Sequence, residues 1–425
     1  MTQSRPRAAI VITGSELVRG ERNDRNGPFL AAEGIRLGLD PEQITIVGDR
    51  PADLERALAR GFGADLCLVS GGLGPTHDDR TVEMVAQVAG RPLIVDPGLE
   101  QQIEGVSRMF AERMGRQYTE FATGVTKQAT LPEGALSLGL AGTAPGFVLD
   151  TDGSAVVVVL PGPPTELRRL WPRALETSPV RRVLGRAPTR GRAVLRFYGT
   201  PESAVALALA EAGGDGDGVE ATICAREFEI HVDLVYDADA EERAQALAAS
   251  LRGRLERYLF SEDGRSVADI VLELCLARGL TLAAAESCTG GLVAARLTDV
   301  PGSSDVFRGG VVAYANDVKE SYLGVSRELL ERYGAVSAEV AQAMAHGVRE
   351  RLGADVGVAV TGIAGPNGGT EEKAVGLVLI HAVGPDAEKA RHIELPGDRE
   401  IVRSRATVAA LHLVRKLLEN RHTAE

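Results

Sequence analysis

The sequence predicts an α/β protein built as three modules: a doubly wound domain over residues 1–178, a small α+β module over 179–260 and a separate α/β domain over 261–425. Three observations carry that reading. A chain of 425 residues is too long for one ordinary core and fits two or three domains of about 100–200 residues. Short apolar runs alternate with helical patterns, as βαβ units of a parallel sheet require. The texture changes near Pro179, where arginines gather, and again at the polar linker 261–265.

The elements follow in order. Residues 8–12, 44–47, 66–69 and 156–160 are short apolar or β-branched runs that end at Gly, Asp, Ser or Pro, the mark of buried strands. Helical patterns lie between them over 29–37, 53–62 and 81–89. In the middle module the sequence predicts a strand at 194–198, a helix at 202–211, a glycine loop at 213–218, a half-buried strand at 227–236 and an amphipathic helix at 240–255. The last domain reads as a helix over 266–278, strands at 280–285, 310–314, 356–360 and 375–383, and a terminal helix.

Composition excludes several function classes. The net charge of −12 repels a phosphodiester backbone, so direct nucleic-acid binding is not expected. Arg181, Arg182, Arg186, Arg190 and Arg192 are interrupted by Pro188 and glycines, and are expected to form a solvated interdomain surface. Cys67, Cys224, Cys275 and Cys288 form no CxxC pair and have no histidine at zinc spacing, which fits reduced thiols in the cytosol. No apolar run approaches membrane-spanning length and the start carries no leader-like segment, so a cytoplasmic protein without a membrane partner is expected.

Two stretches of the first domain carry chemistry. Residues 70–81, Ser-Gly-Gly-Leu-Gly-Pro-Thr-His-Asp-Asp-Arg-Thr, join a predicted strand to a predicted helix but match neither a Walker loop nor a dinucleotide fingerprint. Their glycines let backbone amides approach a phosphate, and Asp78 and Asp79 supply carboxylates for a divalent metal bridging to it. Alternatively, Asp78 or Thr76 caps the helix while Asp79 complements its dipole. Residues 161–166, Pro-Gly-Pro-Pro-Thr-Glu, are either a rigid turn with Pro164 in the first helical turn or a second wall of the same strand-end cleft.

In the last domain, Ala285-Glu286-Ser287-Cys288-Thr289-Gly290-Gly291 separates an apolar run from a helical pattern beginning at Leu292. That layout predicts Ser287 and Cys288 at a helix N-terminus, where backbone N–H groups hold a phosphate or a developing oxyanion. A simple helix cap is the competing reading. Cys288 rivals Ser287 as nucleophile, since a thiol at such a position is easily activated.

TGSELVRG at 13–20 with Asp24 and Asn26, SGGLGPTHDDRT at 70–81 and PGPPTE at 161–166 together resemble the N-terminal domain of the CinA family. The resemblance implies a fold like MoaB and MogA and, as in many members, metal-dependent cleavage of ADP-ribose to AMP and ribose 5-phosphate. Carried over by motif, Gly71, Gly72, Gly74, Thr76 and Thr81 would line the diphosphate. Asp78, Asp79 and Glu16 would hold Mg, Mn or Co, and Gly162, Pro163 and Glu166 would complete the cleft. LRFYGTPES at 195–203 resembles the family's middle module, and Gly34 departs from an expected apolar helix residue.

AESCTGG at 285–291, GGVVAYANDVK at 309–319 and TGIAGPNGG at 361–369 resemble the family's nicotinamide-nucleotide amidase domain. This implies hydrolysis of nicotinamide mononucleotide (NMN) to nicotinic acid mononucleotide and ammonia, with no metal in this domain. Ser287 would attack the carboxamide carbon, and the amides of Thr289 and Gly290 would stabilise the oxyanion. Lys319 or Tyr314 would take the serine proton, which requires a lowered pKa. Thr361 would bind substrate or relay a proton, Gly362 would admit the nucleotide to the backbone, and Arg399 would grip phosphate or carboxamide in competition with Arg403. Ala374 stands where the family commonly has proline. The resemblance also implies a homodimer handling NMN and ADP-ribose in pyridine nucleotide recycling. Its alternatives are a non-enzymatic regulatory protein of competence or DNA damage, and a pterin-binding first domain.

Overall fold

The computed structural model describes residues 5–153 and 155–419. The chain divides into two compact units, Met1–Gly191 and Arg192–Glu425. In the first, a six-stranded sheet runs in the order Asp40–Val47, Arg7–Thr13, Leu66–Ser70, Val156–Leu160, Pro145–Asp150, Leu136–Leu140. The first four strands are parallel and the last two antiparallel. Residues alternate between two cores: Val11, Cys67, Val69, Val157 and Val159 face one layer of helices, while Ile10, Ile12, Leu66, Leu68 and Val158 face the other. Burial on both faces is why these strands read as continuous apolar runs.

The helix Asn26–Arg36 takes in all but the last residue of the predicted pattern at 29–37, and Gly34 in it is buried where a Cβ would press Pro41 Cγ at 3.3 Å. The helix Ser178–Leu184 packs Val180 and Val183 into this unit's core, and the unit runs on to Gly191. The arginines beyond Pro179 are solvent-exposed and paired: Arg182 with Asp150 at 2.7 Å, Arg186 with Asp65 at 2.8 Å and Arg192 with Asp233 at 3.2 Å.

The second unit holds two sheets. Four strands in the order Val219–Arg226, Glu229–Asp237, Arg190–Tyr198, Leu259–Ser261 pack against the helices Glu202–Glu211 and Glu241–Leu255 around their own core. The second sheet has the order Phe307–Val312, Leu282–Glu286, Val356–Gly362, Leu377–Val383, Glu388–Glu394. Its first three strands are parallel and the last two antiparallel. One face carries Leu282, Val356, Val358 and Ile380 against the helices Val267–Ala277 and Arg399–Glu419; the other carries Ala283, Ala285 and Val383 against Ala338–Arg351. The strand predicted at 310–314 ends at Val312, leaving Tyr314 in the following loop.

Within this unit, helix Arg399–Glu419 meets the smaller sheet through a buried polar cluster. His412 stacks on Tyr198 at 3.7 Å between centroids, and its Nε2 lies 2.7 Å from Glu229 Oε1. Arg415 Nε donates to His412 Nδ1 at 3.3 Å, so the imidazole carries its proton on Nε2. Burial pushes His412 down to about 4. Among the described residues no helix is long and apolar enough to cross a membrane.

Candidate active sites

The strand Leu282–Glu286 ends in the interior of its sheet, and Ser287 continues the ladder by donating its N–H to Val360 O at 2.9 Å. The chain then turns, and helix Leu292–Thr298 begins only after Gly291, whose φ is 97°. Ser287 and Cys288 therefore lie in a turn ahead of the helix, not at its N-terminus. Glu286 is the physical reason the helix-terminal amides are not offered to a ligand. Its buried carboxylate accepts from the N–H groups of Gly291 at 2.9 Å, Val293 at 3.0 Å and Ala294 at 2.9 Å, satisfying three of the four free donors at the start of the helix.

The turn itself is pinned from outside. Arg403 donates from Nε to Cys288 O at 3.1 Å and from Nη2 to Thr289 O at 2.9 Å. The Gly290 N–H closes the turn on Ser287 O at 3.2 Å, which removes it from the expected oxyanion role. The Thr289 N–H meets no backbone carbonyl among the described residues, and the buried Thr289 hydroxyl has no partner. Ser287 is half-buried, whereas Cys288 is buried and its thiol is pushed up to about 12 by burial. Accessibility favours the serine as nucleophile, and burial withholds the thiolate that would make Cys288 its rival.

Lys319 is 1% exposed and donates from Nζ to Ala313 O at 2.8 Å and to Tyr314 O at 3.1 Å. Burial holds its ammonium below the usual lysine range, and the neighbouring Cys288 sulfur opposes that shift. Tyr314 is 61% exposed, and its hydroxyl accepts from Arg399 Nη2 at 3.0 Å while Arg399 Nη1 holds Gly365 O at 3.0 Å.

Two expectations change here. Thr361 is buried with its hydroxyl committed to Ala335 O at 2.8 Å, so it serves the strand-to-loop structure rather than a relay. Gly362 pairs with Val378 inside the sheet, where a Cβ would lie 2.6 Å from Leu377 O; it admits a neighbouring strand, not a nucleotide. A cleft of about 580 Å³ is lined by Leu292, Arg296, Arg399, Arg403, Thr407 and Glu227, which puts three guanidinium groups beside the turn. Sequence reasoning missed Glu286; an acidic residue closing an apolar strand just before a glycine turn is the available signal.

In the first unit, three parallel strands end together. Gly71 donates to Leu160 O at 3.1 Å, and a Cβ on Gly162 would lie 3.6 Å from Gly71 Cα, so the two glycine turns face one cleft. Gly71 and Gly72 have φ of 108° and 64°; a Cβ on Gly71 would meet Thr13 Oγ1 at 2.6 Å, and one on Gly72 would meet Thr81 Oγ1 at 2.2 Å. Asn26 donates to Ser70 Oγ at 2.9 Å and Gly162 O at 2.7 Å, tying both turns to the helix Asn26–Arg36. Thr13 Oγ1, Thr81 Oγ1 and Asn26 Oδ1 are buried without a partner. Sequence reasoning placed Thr81 here but overlooked Thr13 and left Asn26 without a role.

The expected metal carboxylates do not assemble into one donor set. Asp79 Oδ2 accepts from the Thr76 N–H at 3.0 Å and from the Thr76 hydroxyl, Asp78 is exposed, and Glu16 sits against Gly14. Among the described residues, the one His, Cys, Asp and Glu group with all ligand atoms within 4.8 Å is His346, His381 and Glu388, in the other unit. Gly72, Gly74, Asp79 and Lys127 line a cavity of about 170 Å³, and Lys127 Nζ also reaches Thr76 O. Pro163 caps helix Pro164–Glu176; Glu166 in its first turn lies against Gly142, and burial raises its carboxyl while Arg169 pulls it down.

Fold and sites define a modular α/β protein with a strand-end cleft in each large domain. Its stretches match, in order, a probable molybdopterin binding domain over residues 9–179, a damage-inducible protein CinA KH domain over 192–261 and a CinA C-terminal domain over 264–418. The chain belongs to the CinA-like family. It is 45% identical over 430 residues to a CinA-like protein of Mycolicibacterium paratuberculosis, covering 97% of this chain and 98% of that one. It is 44% identical to a CinA-like protein of Mycobacterium tuberculosis, covering 97% of each. The crystal structure of competence/damage inducible protein CihA from Agrobacterium tumefaciens is 37% identical, covers 38% of this chain and all of that one, and superposes with a TM-score of 0.35.

Proposed function

We propose that the C-terminal domain hydrolyses the carboxamide of NMN with Ser287 as nucleophile and Lys319 as general base. The observation that carries this is the state of Lys319. A neutral amine has two N–H donors, and Ala313 O and Tyr314 O take both, so its lone pair is left to accept a proton. Burial favours that neutral form.

In this reading Ser287 Oγ adds to the carboxamide carbon as its proton passes to Lys319 Nζ. The N–H groups of Cys288 and Thr289 are the turn donors left for the oxyanion. The Lys319 ammonium then returns the proton to the departing nitrogen, ammonia leaves, and water releases nicotinic acid mononucleotide from the acyl-serine by the same steps reversed. Arg399 and Arg403 would meet a 5′-phosphate in the adjoining cleft, whose third guanidinium, Arg296, is paired with Glu227 and which Glu400 also lines. Chromatography of NMN digests tests the assignment. Cys288→Ala is expected to form nicotinic acid mononucleotide and Ser287→Ala is not; the opposite pattern overturns the choice of nucleophile.

For the first domain the same proposal is cleavage of the ADP-ribose diphosphate. It is supported by Thr13 Oγ1, Thr81 Oγ1 and Asn26 Oδ1, three unpartnered buried oxygens around the paired glycines. Hard oxygen donors suit a divalent ion such as Mg²⁺, which would neutralise diphosphate charge when bound. Asp79 and the two threonines would hold it, while Asn26 fixes the glycine turns and Lys127 faces the departing phosphate charge. AMP release that requires added divalent metal and disappears in Asp79→Ala is the expected result. Metal-independent release, or binding of a pterin without turnover, contradicts it.

A further inference from the structure

The group formed by His346, His381 and Glu388 is unrelated to the Ser287 turn. His381 and Val383 project from the same face of the strand Leu377–Val383, because side chains alternate. Glu388 pairs with Val383 across the antiparallel ladder and so falls on that face, one diagonal step from His381. This is the face on which helix Ala338–Arg351 packs, through Met344, Ala345 and Val348. His346 comes down from that helix, and Gln342, four residues earlier, lies on the same side of it.

The donors converge from three separate elements. His346 Nε2 lies 2.9 Å from Glu388 Oε1, His381 Nε2 lies 2.9 Å from Glu388 Oε2, and Gln342 Nε2 donates to Glu388 Oε2 at 3.1 Å. One ligand atom from each of the two histidines and the glutamate lies within 4.8 Å of the others. A tetrahedral ion with bonds of about 2.0–2.1 Å spaces its ligands roughly 3.4 Å apart, so side-chain adjustments of about an ångström would suffice. His381 is nearly buried, with 9% of its side chain exposed, while His346 at 45% and Glu388 at 37% leave an entry path.

We infer that His346, His381 and Glu388 form a binding site for a divalent transition metal of the zinc, cobalt or nickel class. Two imidazoles and a carboxylate match that class and not calcium or magnesium, which take oxygen ligands. The fourth position goes to water or to the Gln342 amide oxygen. Each imidazole binds through Nε2 and keeps its proton on Nδ1, so each ring changes tautomer when the ion replaces the Glu388 contacts. The ion would clamp helix Ala338–Arg351 to the two antiparallel strands. Its place is on the two antiparallel strands, separated from the catalytic turn by the strand Val356–Gly362: His381 pairs with Ala359 and Val383, the partner of Glu388, with Gly357, while Ser287 bonds Val360 from the other side of that strand. It takes no part in amide hydrolysis.

The test uses the full chain, stripped with chelator and titrated with Co²⁺ while visible absorption and thermal unfolding are followed. One equivalent of Co²⁺ on wild type is expected to show the intense bands of a four-coordinate, imidazole-ligated ion, which the all-oxygen site proposed for the first domain does not give, and wild type to unfold at higher temperature with it. His346→Ala, at an exposed position, and Glu388→Gln are each expected to lose that signal and to weaken binding by more than about 100-fold, since even outer-sphere substitutions cost 10- to 100-fold. NMN turnover should be the same in both variants as in wild type, which separates this inference from the amidase assignment. Wild type and both variants titrating alike, or no such spectrum in any of them, would overturn it.

Discussion

Replacing Glu286 by glutamine changes one atom type in a buried carboxylate and leaves the volume unchanged, so its effect isolates the three amide contacts. Oε2 takes the N–H groups of Gly291 and Val293, and Oε1 takes that of Ala294. A glutamine turned its best way keeps its oxygen on the first two and sets an NH₂ group against the Ala294 N–H. One buried donor is then unsatisfied, at about 1–3 kcal/mol, and two bonds weaken by roughly 0.5–1 kcal/mol each. The sum is about 3 kcal/mol for opening the turn and the first helical turn. Hydrogen exchange followed by mass spectrometry reads this locally, as about a 100-fold loss of protection over residues 287–298. Because Ser287 is carried on this turn, NMN turnover should fall with it. Unchanged protection in Glu286→Gln would refute the claim that this carboxylate organises the site.

Three further outcomes follow from the same geometry. Lys319→Met removes the base at constant length and should lower kcat by about 10²- to 10⁴-fold; in wild type, activity should rise with pH through a midpoint below the ordinary lysine value, as the Lys319 ammonium loses its proton. Thr81→Val replaces a buried hydroxyl that has no partner, so the first unit should hold its stability or gain up to about 1–2 kcal/mol while ADP-ribose turnover drops. The single tryptophan, Trp171, lies in that unit and reports its unfolding by fluorescence. His412 is neutral in the fold because burial lowers it to about 4, so the unfolded chain binds the extra proton first as pH falls from about 6.5. The second unit is therefore at full stability above pH ~6.5 and loses about 3 kcal/mol at most as pH falls to about 4; Glu229, also lowered, adds loss of the same sign further down. Urea unfolding followed by circular dichroism across that window should show the decline, and a flat profile contradicts it.

Which features could be read from the sequence follows from what each residue buries. Leu66–Ser70 and Val156–Leu160 are covered on both faces, so their apolar runs announce them. The strand Glu388–Glu394, Glu-Lys-Ala-Arg-His-Ile-Glu, is a polar edge strand with one alternating half-buried face, and nothing apolar marks it. Leu136–Leu140 and Pro145–Asp150 were likewise hidden, because their glycines and proline read as turn residues.

At the sites, the motif resemblance singled out Ser287, Lys319, Tyr314, Gly71 and Gly72 as candidates. Thr361 and Gly362 looked alike as candidates, and only strand pairing separates a structural residue from one facing a ligand. Glu286 and Asn26 act through backbone groups far along the chain or in another turn, and such partners cannot be read from spacing. The same holds for His346, His381 and Glu388, whose convergence depends on sheet register and helix packing.

The central claim is that the Ser287 turn hydrolyses a nucleotide carboxamide. Ammonia release from NMN, measured for the full chain and for Ser287→Ala under identical conditions, tests it most directly. The account predicts steady release by wild type and a rate for the variant indistinguishable from the uncatalysed background. Equal release by both proteins, or none by wild type, would contradict it.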